Sequence, residues 1–126
     1  MDPLSKSITS PIFGKTYDFV LWLLNHTEKF PKSERFRLAR RLEDAAFDFY
    51  ELLVQATRTA RRKQALLLEA DLALDRLRLY VRLSHARKLF TVDQYAYAAK
   101  ALVEIGKLLG SWLKSVPEAQ PGREAP

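Results

Sequence analysis

His26 and His85 are the only histidines in the 126-residue chain, so acid–base or metal chemistry would have to begin with them. Neither has a second histidine or a carboxylate three or four residues away, the spacing that sets two ligands on one helical face. Both are read as residues near helix ends, where partial positive charge is tolerated. The absence of cysteine removes disulfides, thiolate metal sites and cysteine nucleophiles. Carboxylates gather at Glu43, Asp44, Asp48 and Glu51, and again at Glu69, Asp71 and Asp75. Arg40 and Arg41 precede the first group at pairing distance, so ion pairs along a helix account for it better than paired acids in catalysis. Gly106 and Gly110 fall within a helical pattern rather than between strand and helix, so they form no phosphate loop, and no serine occupies a nucleophile elbow. The two glycines are read as a place where a neighbouring backbone or an aromatic ring comes close. The chain is therefore expected to be no enzyme and to need no metal or cofactor.

The basic residues carry more information. Between Lys32 and Lys88 there are fourteen lysines and arginines against eight acids, in a chain of net charge +6. Arg58, Arg61, Arg62 and Lys63 cluster in one polar run. Arg37 and Arg41, and on the other side Arg82 and Arg87, bracket the region that a helical hairpin would bring together at its opposite tip. Guanidinium forks at such tips suit phosphate oxygens, which give affinity without sequence choice. The competing reading is a solvated face of internal pairs, notably Asp71 and Asp75 with Arg78 and Arg82. Repetition of the patch around an oligomer favours the binding reading.

Four helices must position these groups. The first is expected over about Phe13 to Lys29, starting slightly earlier if Ser10 and Pro11 cap it, with Tyr17, Val20, Leu21 and Leu24 on its apolar stripe. The second begins within Lys32 to Glu34 and runs to about Thr59. Its buried stripe is Phe36, Ala39, Leu42, Ala46, Phe49, Leu53 and Ala56, with Glu34, Arg37, Arg41, Asp44, Asp48 and Glu51 opposite. A turn falls between Arg58 and Gln64. The third helix, from about Gln64 to Leu89, carries Leu67, Ala70, Leu74, Leu77, Val81 and Ser84 on one stripe and a second apolar set, Leu68, Leu72, Leu79, Leu83 and Ala86, beside it. That is more apolar surface than one bundle core requires, and it suggests a subunit interface. Thr91 and Gln94 form a capping box for a fourth helix to about Ser115, with Tyr95, Ala99, Leu102, Gly106, Leu109 and Leu113 inward. The expected architecture is an all-α, up-down-up-down antiparallel four-helix bundle over residues 13–116. A flexible lead (1–12) and a disordered tail (117–126) flank it. No window offers the roughly 18 apolar residues of a membrane span, and the chain is expected to be cytoplasmic.

The run Phe30-Pro-Lys-Ser-Glu-Arg-Phe36, followed by Leu38, Leu42, Ala45 and Ala46, resembles the second-helix start of the bundle family first described from ribosomal RNA intervening sequences. Leu77-Arg-Leu-Tyr-Val-Arg-Leu83 and Glu104-Ile-Gly-Lys-Leu-Leu-Gly-Ser-Trp-Leu113 are similar, more specifically, to the accessory variability determinant (Avd) family of diversity-generating retroelements. This resemblance implies a homopentameric barrel of four-helix bundles with a basic surface and no catalysis of its own. It further implies binding to the retroelement's reverse transcriptase and template RNA in support of mutagenic retrohoming. Arg78 and Arg82 match the two arginines of the family's third-helix motif and are carried over as partner-binding residues, whereas the remaining basic positions rest on charge alone. The alternative is a stand-alone oligomerisation module of the wider intervening-sequence family.

Overall fold

The computed structural model of the chain describes residues 10–117; the expected lead and tail lie outside that range except at their inner edges. Four helices make up the fold, α1 (Pro11–Thr27), α2 (Arg40–Thr57), α3 (Lys63–Ala86) and α4 (Val92–Ser115), and no strand occurs among the described residues. Each helix packs on its chain neighbours and α1 also packs on α4, which closes an antiparallel bundle. α2 and α3 share the longest seam.

The core explains the register of each helix. On α3 the expected stripe of Leu67, Ala70, Leu74, Leu77, Val81 and Ser84 is fully buried. On α2 the buried set Leu42, Ala46, Phe49, Leu53 and Ala56 is also as expected, with Ala45 beside it. Phe36 breaks the pattern, being 74% exposed. The chain between α1 and α2 is not α-helical: Lys32–Glu34 is a 3₁₀ turn and Arg35–Ala39 a wider π turn, with Arg37 at φ −114°, ψ −106°. That change of pitch turns Phe36 out of the stripe that Ala39 and Leu42 follow, and α2 starts at Arg40 rather than near Lys32. Glu34, expected on the wet side, is instead 3% exposed.

α1 is also rotated from expectation. Its buried face is Ile12, Phe13, Thr16, Phe19, Leu23 and Thr27, while Tyr17 and Leu21 are 60% and 49% exposed. Two threonines inside the stripe disguise it; the Thr27 hydroxyl makes its burial tolerable by donating to Glu43 Oε2 at 2.5 Å. On α4 the buried line is Ala98, Leu102, Ile105 and Leu109, with Tyr95, Ala99, Gly106 and Leu113 half-buried beside it. The capping box is present as expected: Thr91 Oγ1 accepts from the Gln94 N–H, and the Thr91 N–H donates to Gln94 Oε1.

α3 ends at Ala86, short of Leu89, in a two-bond reversal. The Lys88 N–H donates to the His85 carbonyl and the Leu89 N–H to that of Ser84, both near 2.9 Å (2.9 and 2.8 Å). This geometry places Lys88 at φ 64°, a left-handed conformation that favours glycine. Lys88→Gly is expected to raise the unfolding free energy by about 1 kcal/mol by relieving the side-chain clash. Guanidinium denaturation with an unchanged slope checks it, and a loss of stability would contradict the strained reading.

Candidate nucleic-acid interface

The bundle separates the basic residues into three places. At one end, the α1–α2 connection meets the α3–α4 turn and carries Arg37, Arg41, Arg87 and Lys88. At the other end, the α2–α3 turn carries Arg58, Arg61, Arg62 and Lys63. The 24 residues of α3 hold these ends apart by about 36 Å, so they cannot form one local pocket. Arg78 and Arg82 stand between them on α3.

Glu34 organises the first end. Its side chain is 4% exposed and accepts from Arg87 Nε at 3.1 Å, while Arg37 Nε lies 3.7 Å from its other oxygen. One carboxylate from the α1–α2 connection thus brings together two of the predicted basic residues from distant parts of the sequence. A buried carboxylate needs such partners, because leaving it alone in an apolar setting is far costlier than exposing the two arginines, which remain 62% and 53% exposed. Cations here also suit the C-terminal end of α3. Arg41 is exposed beside them, and Arg40 pairs with Asp44 at 3.9 Å, as the spacing anticipated, while lying over the Phe36 ring.

Arg78 is the most tightly seated of the predicted residues. Its Nη1 donates to Asp75 Oδ1 at 2.9 Å, and its Nη2 sits where a Cβ on Gly106 would be, 2.5 Å from that point. Gly106 therefore makes room for a guanidinium rather than for the backbone or aromatic ring expected there, and Gly110 has nothing within 4 Å. Arg82 is exposed with no carboxylate at bridging distance among the described residues. Asp48 pairs with Arg76 of α3 at 3.7 Å, which draws part of the first carboxylate group into an interhelical bridge. At the far end Arg58, Arg61 and Arg62 are exposed and Lys63 is half-buried; the Arg62 N–H donates to Thr59 Oγ1 at 3.3 Å and fixes the turn.

Sequence reasoning missed three features: Glu34 as the anchor of an arginine pair, the seat that Gly106 makes for Arg78, and an aromatic stack on α1 and α4. His26 donates through Nδ1 to the Trp22 carbonyl at 2.7 Å and stacks on the Trp22 ring. His85 stacks on Tyr95. Among the described residues no three His, Cys, Asp or Glu side chains group as metal ligands, and no helix is long and apolar enough to cross a membrane.

These features define an all-helical four-helix-bundle protein with separated arginine-rich surfaces. Residues 12–116 match the profile of the bAvd-like family, and the chain belongs to that family, an accessory and non-catalytic kind of protein. No curated protein matches the chain.

The Glu34 anchor makes an asymmetric prediction. Arg87→Ala should destabilise the bundle by about 2 kcal/mol, since it leaves the buried carboxylate only the more distant Arg37, and adding Glu34→Gln should recover most of that loss. A thermodynamic double-mutant cycle measures both; additive losses would show that the pair is not coupled.

Proposed function

We propose that this protein is the accessory factor of a diversity-generating retroelement, binding the reverse transcriptase and template RNA through its arginine surfaces to support mutagenic retrohoming in the cytoplasm. Membership of the bAvd-like family over residues 12–116 carries this reading. The charge arrangement supports it: a rigid scaffold of net charge +6 exposes Arg41, Arg58, Arg62 and Arg82, and each guanidinium can fork onto phosphate oxygens. Arg78 is held in a fixed place by Asp75 and Gly106, which suits a contact that must be positioned rather than merely charged.

We propose further that the working form is a homopentamer. The support is the second apolar stripe of α3, where Leu68, Leu72, Leu79 and Leu83 are 50%, 60%, 49% and 42% exposed on a single helical face. Monomers rarely leave so long an apolar row in water. Five copies arranged in a ring would repeat every basic patch five times and raise its field over a polyanion. If the protein were only a stand-alone association module, the same stripe would serve it, and polynucleotide binding would be missing.

Two expected outcomes test these statements. Arg78→Ala with Arg82→Ala should weaken binding to template RNA, or to the RNA-bound reverse transcriptase, about tenfold or more and lower its salt dependence by about two phosphate contacts. Circular dichroism should show the bundle unchanged, and salt-independent binding in the parent would end the nucleic-acid reading. Leu72→Glu with Leu79→Glu should convert the assembly to monomers with helical content intact, read by light scattering after size exclusion; a parent chain that is already monomeric would remove the pentamer.

A further inference from the structure

The side of the bundle shared by α1 and α4 carries none of these arginines. It holds an open groove lined by Lys15, Asp18, Phe19, Tyr97, Lys100, Ala101 and Glu104. Tyr97 is 47% exposed at this groove, yet its ring is fixed: it stacks on Trp22 with centroids 4.8 Å apart and planes at 30°. Trp22 is itself fixed between His26 at 4.1 Å and the buried rings of Phe19 and Phe90 at 6.1 and 5.7 Å. An exposed ring immobilised through one face offers the other as a flat π surface whose ordering was completed on folding.

The charges lining that surface are mixed, two lysines and two carboxylates. Lys15 donates to Glu104 at 3.1 Å, and Lys100 and Lys107 also act on the Glu104 carboxyl. The Lys15 hydrogen bond and charge hold that carboxyl below the usual carboxylate range. Lys15 and Lys100 thus line the groove with Asp18 and Glu104, and Lys107 lies near enough to Glu104 to act on its charge. An aliphatic chain would find charged walls here, and a small free anion would meet the carboxylates. A nucleobase on a phosphate backbone satisfies all the elements together. Its plane covers Tyr97, its N–H edge can donate to a carboxylate, and its phosphates lie toward lysines.

We propose that the α1–α4 groove is a stacking subsite for a base of a single-stranded polynucleotide, with Tyr97 as the platform and Lys15 and Lys100 holding the flanking phosphates. This rests on the nucleic-acid reading above and adds that the protein touches bases as well as backbone.

Trp22 is a built-in reporter once Trp112→Phe removes the only other tryptophan. The full chain with that change is titrated with oligouridylate and, separately, with inorganic polyphosphate, a polyanion without bases. Both should bind, and only oligouridylate should quench Trp22. Tyr97→Ala and Tyr97→Leu should remove the quenching and weaken oligouridylate about tenfold, leaving polyphosphate unchanged, while Tyr97→Phe keeps both properties. Equal loss for both polyanions, or no loss for either, overturns the subsite. Unquenched oligouridylate binding in the parent also overturns it but leaves the arginine surfaces standing; failure of both polyanions to bind removes the two readings together.

Discussion

A single carboxylate governs one whole end of this molecule. Glu34 is nearly inaccessible to water and lies in the connection between α1 and α2, where a 3₁₀ turn runs into a π turn. Such a charge is stable only with cations beside it, and the two it finds come from Arg37 in its own turn and Arg87 just beyond α3. The 3₁₀ and π turns between Pro31 and Arg40, the outward-facing Phe36 and the end of α3 all lie around this meeting of charges. Lys88 follows Arg87 directly in a left-handed conformation, which the hydrogen-bonded reversal at the end of α3 imposes on it.

Much of the bundle is legible in the sequence because apolar residues repeat at helical spacing and the breaks between them are marked. The buried row on α3, the turn at Arg58 to Arg62 and the Thr91 capping box are all local signals, and each falls where it was expected. The failures have one cause, partners that only the tertiary fold supplies. Thr16 and Thr27 read as polar but are buried, Thr27 because Glu43 of α2 accepts its hydroxyl. Glu34 reads as solvated until Arg87, 53 residues away, closes on it. Gly106 announces close approach, yet nothing in its own helix tells that Arg78 is what approaches. The stack of Tyr97 on Trp22 was equally out of reach, since the two rings meet across helices and lie 75 positions apart.

The predicted arginines are thereby divided by how firmly they are held. Arg37, Arg78 and Arg87 have carboxylates of their own and so carry part of the fold as well as surface charge. Arg41, Arg58, Arg62 and Arg82 are exposed without such a partner among the described residues. A phosphate that docks on the first group must share its guanidinium with an acid, whereas on the second it replaces only water. In the proposed binding role, positioning and affinity would therefore fall to different arginines rather than to one continuous patch.

Charge also restricts how copies of this chain could meet. Two basic ends brought face to face would repel each other, because each gathers several arginines with few acids among them. The flanks of the helices are not basic in this way: on α3 the leucines at 68, 72, 79 and 83 are exposed, and Leu72 lies beside Asp48, Glu51, Glu69 and Arg76. In the proposed oligomer, contact along the helix flanks would therefore meet less charge repulsion than contact end to end. In the proposed ring of five that geometry would set every Glu34 end on one rim and every Arg58–Lys63 turn on the other, because an odd number of copies cannot alternate in direction. A ring of parallel bundles closed in this way would concentrate like patches and turn modest single-copy charge into two strong rims.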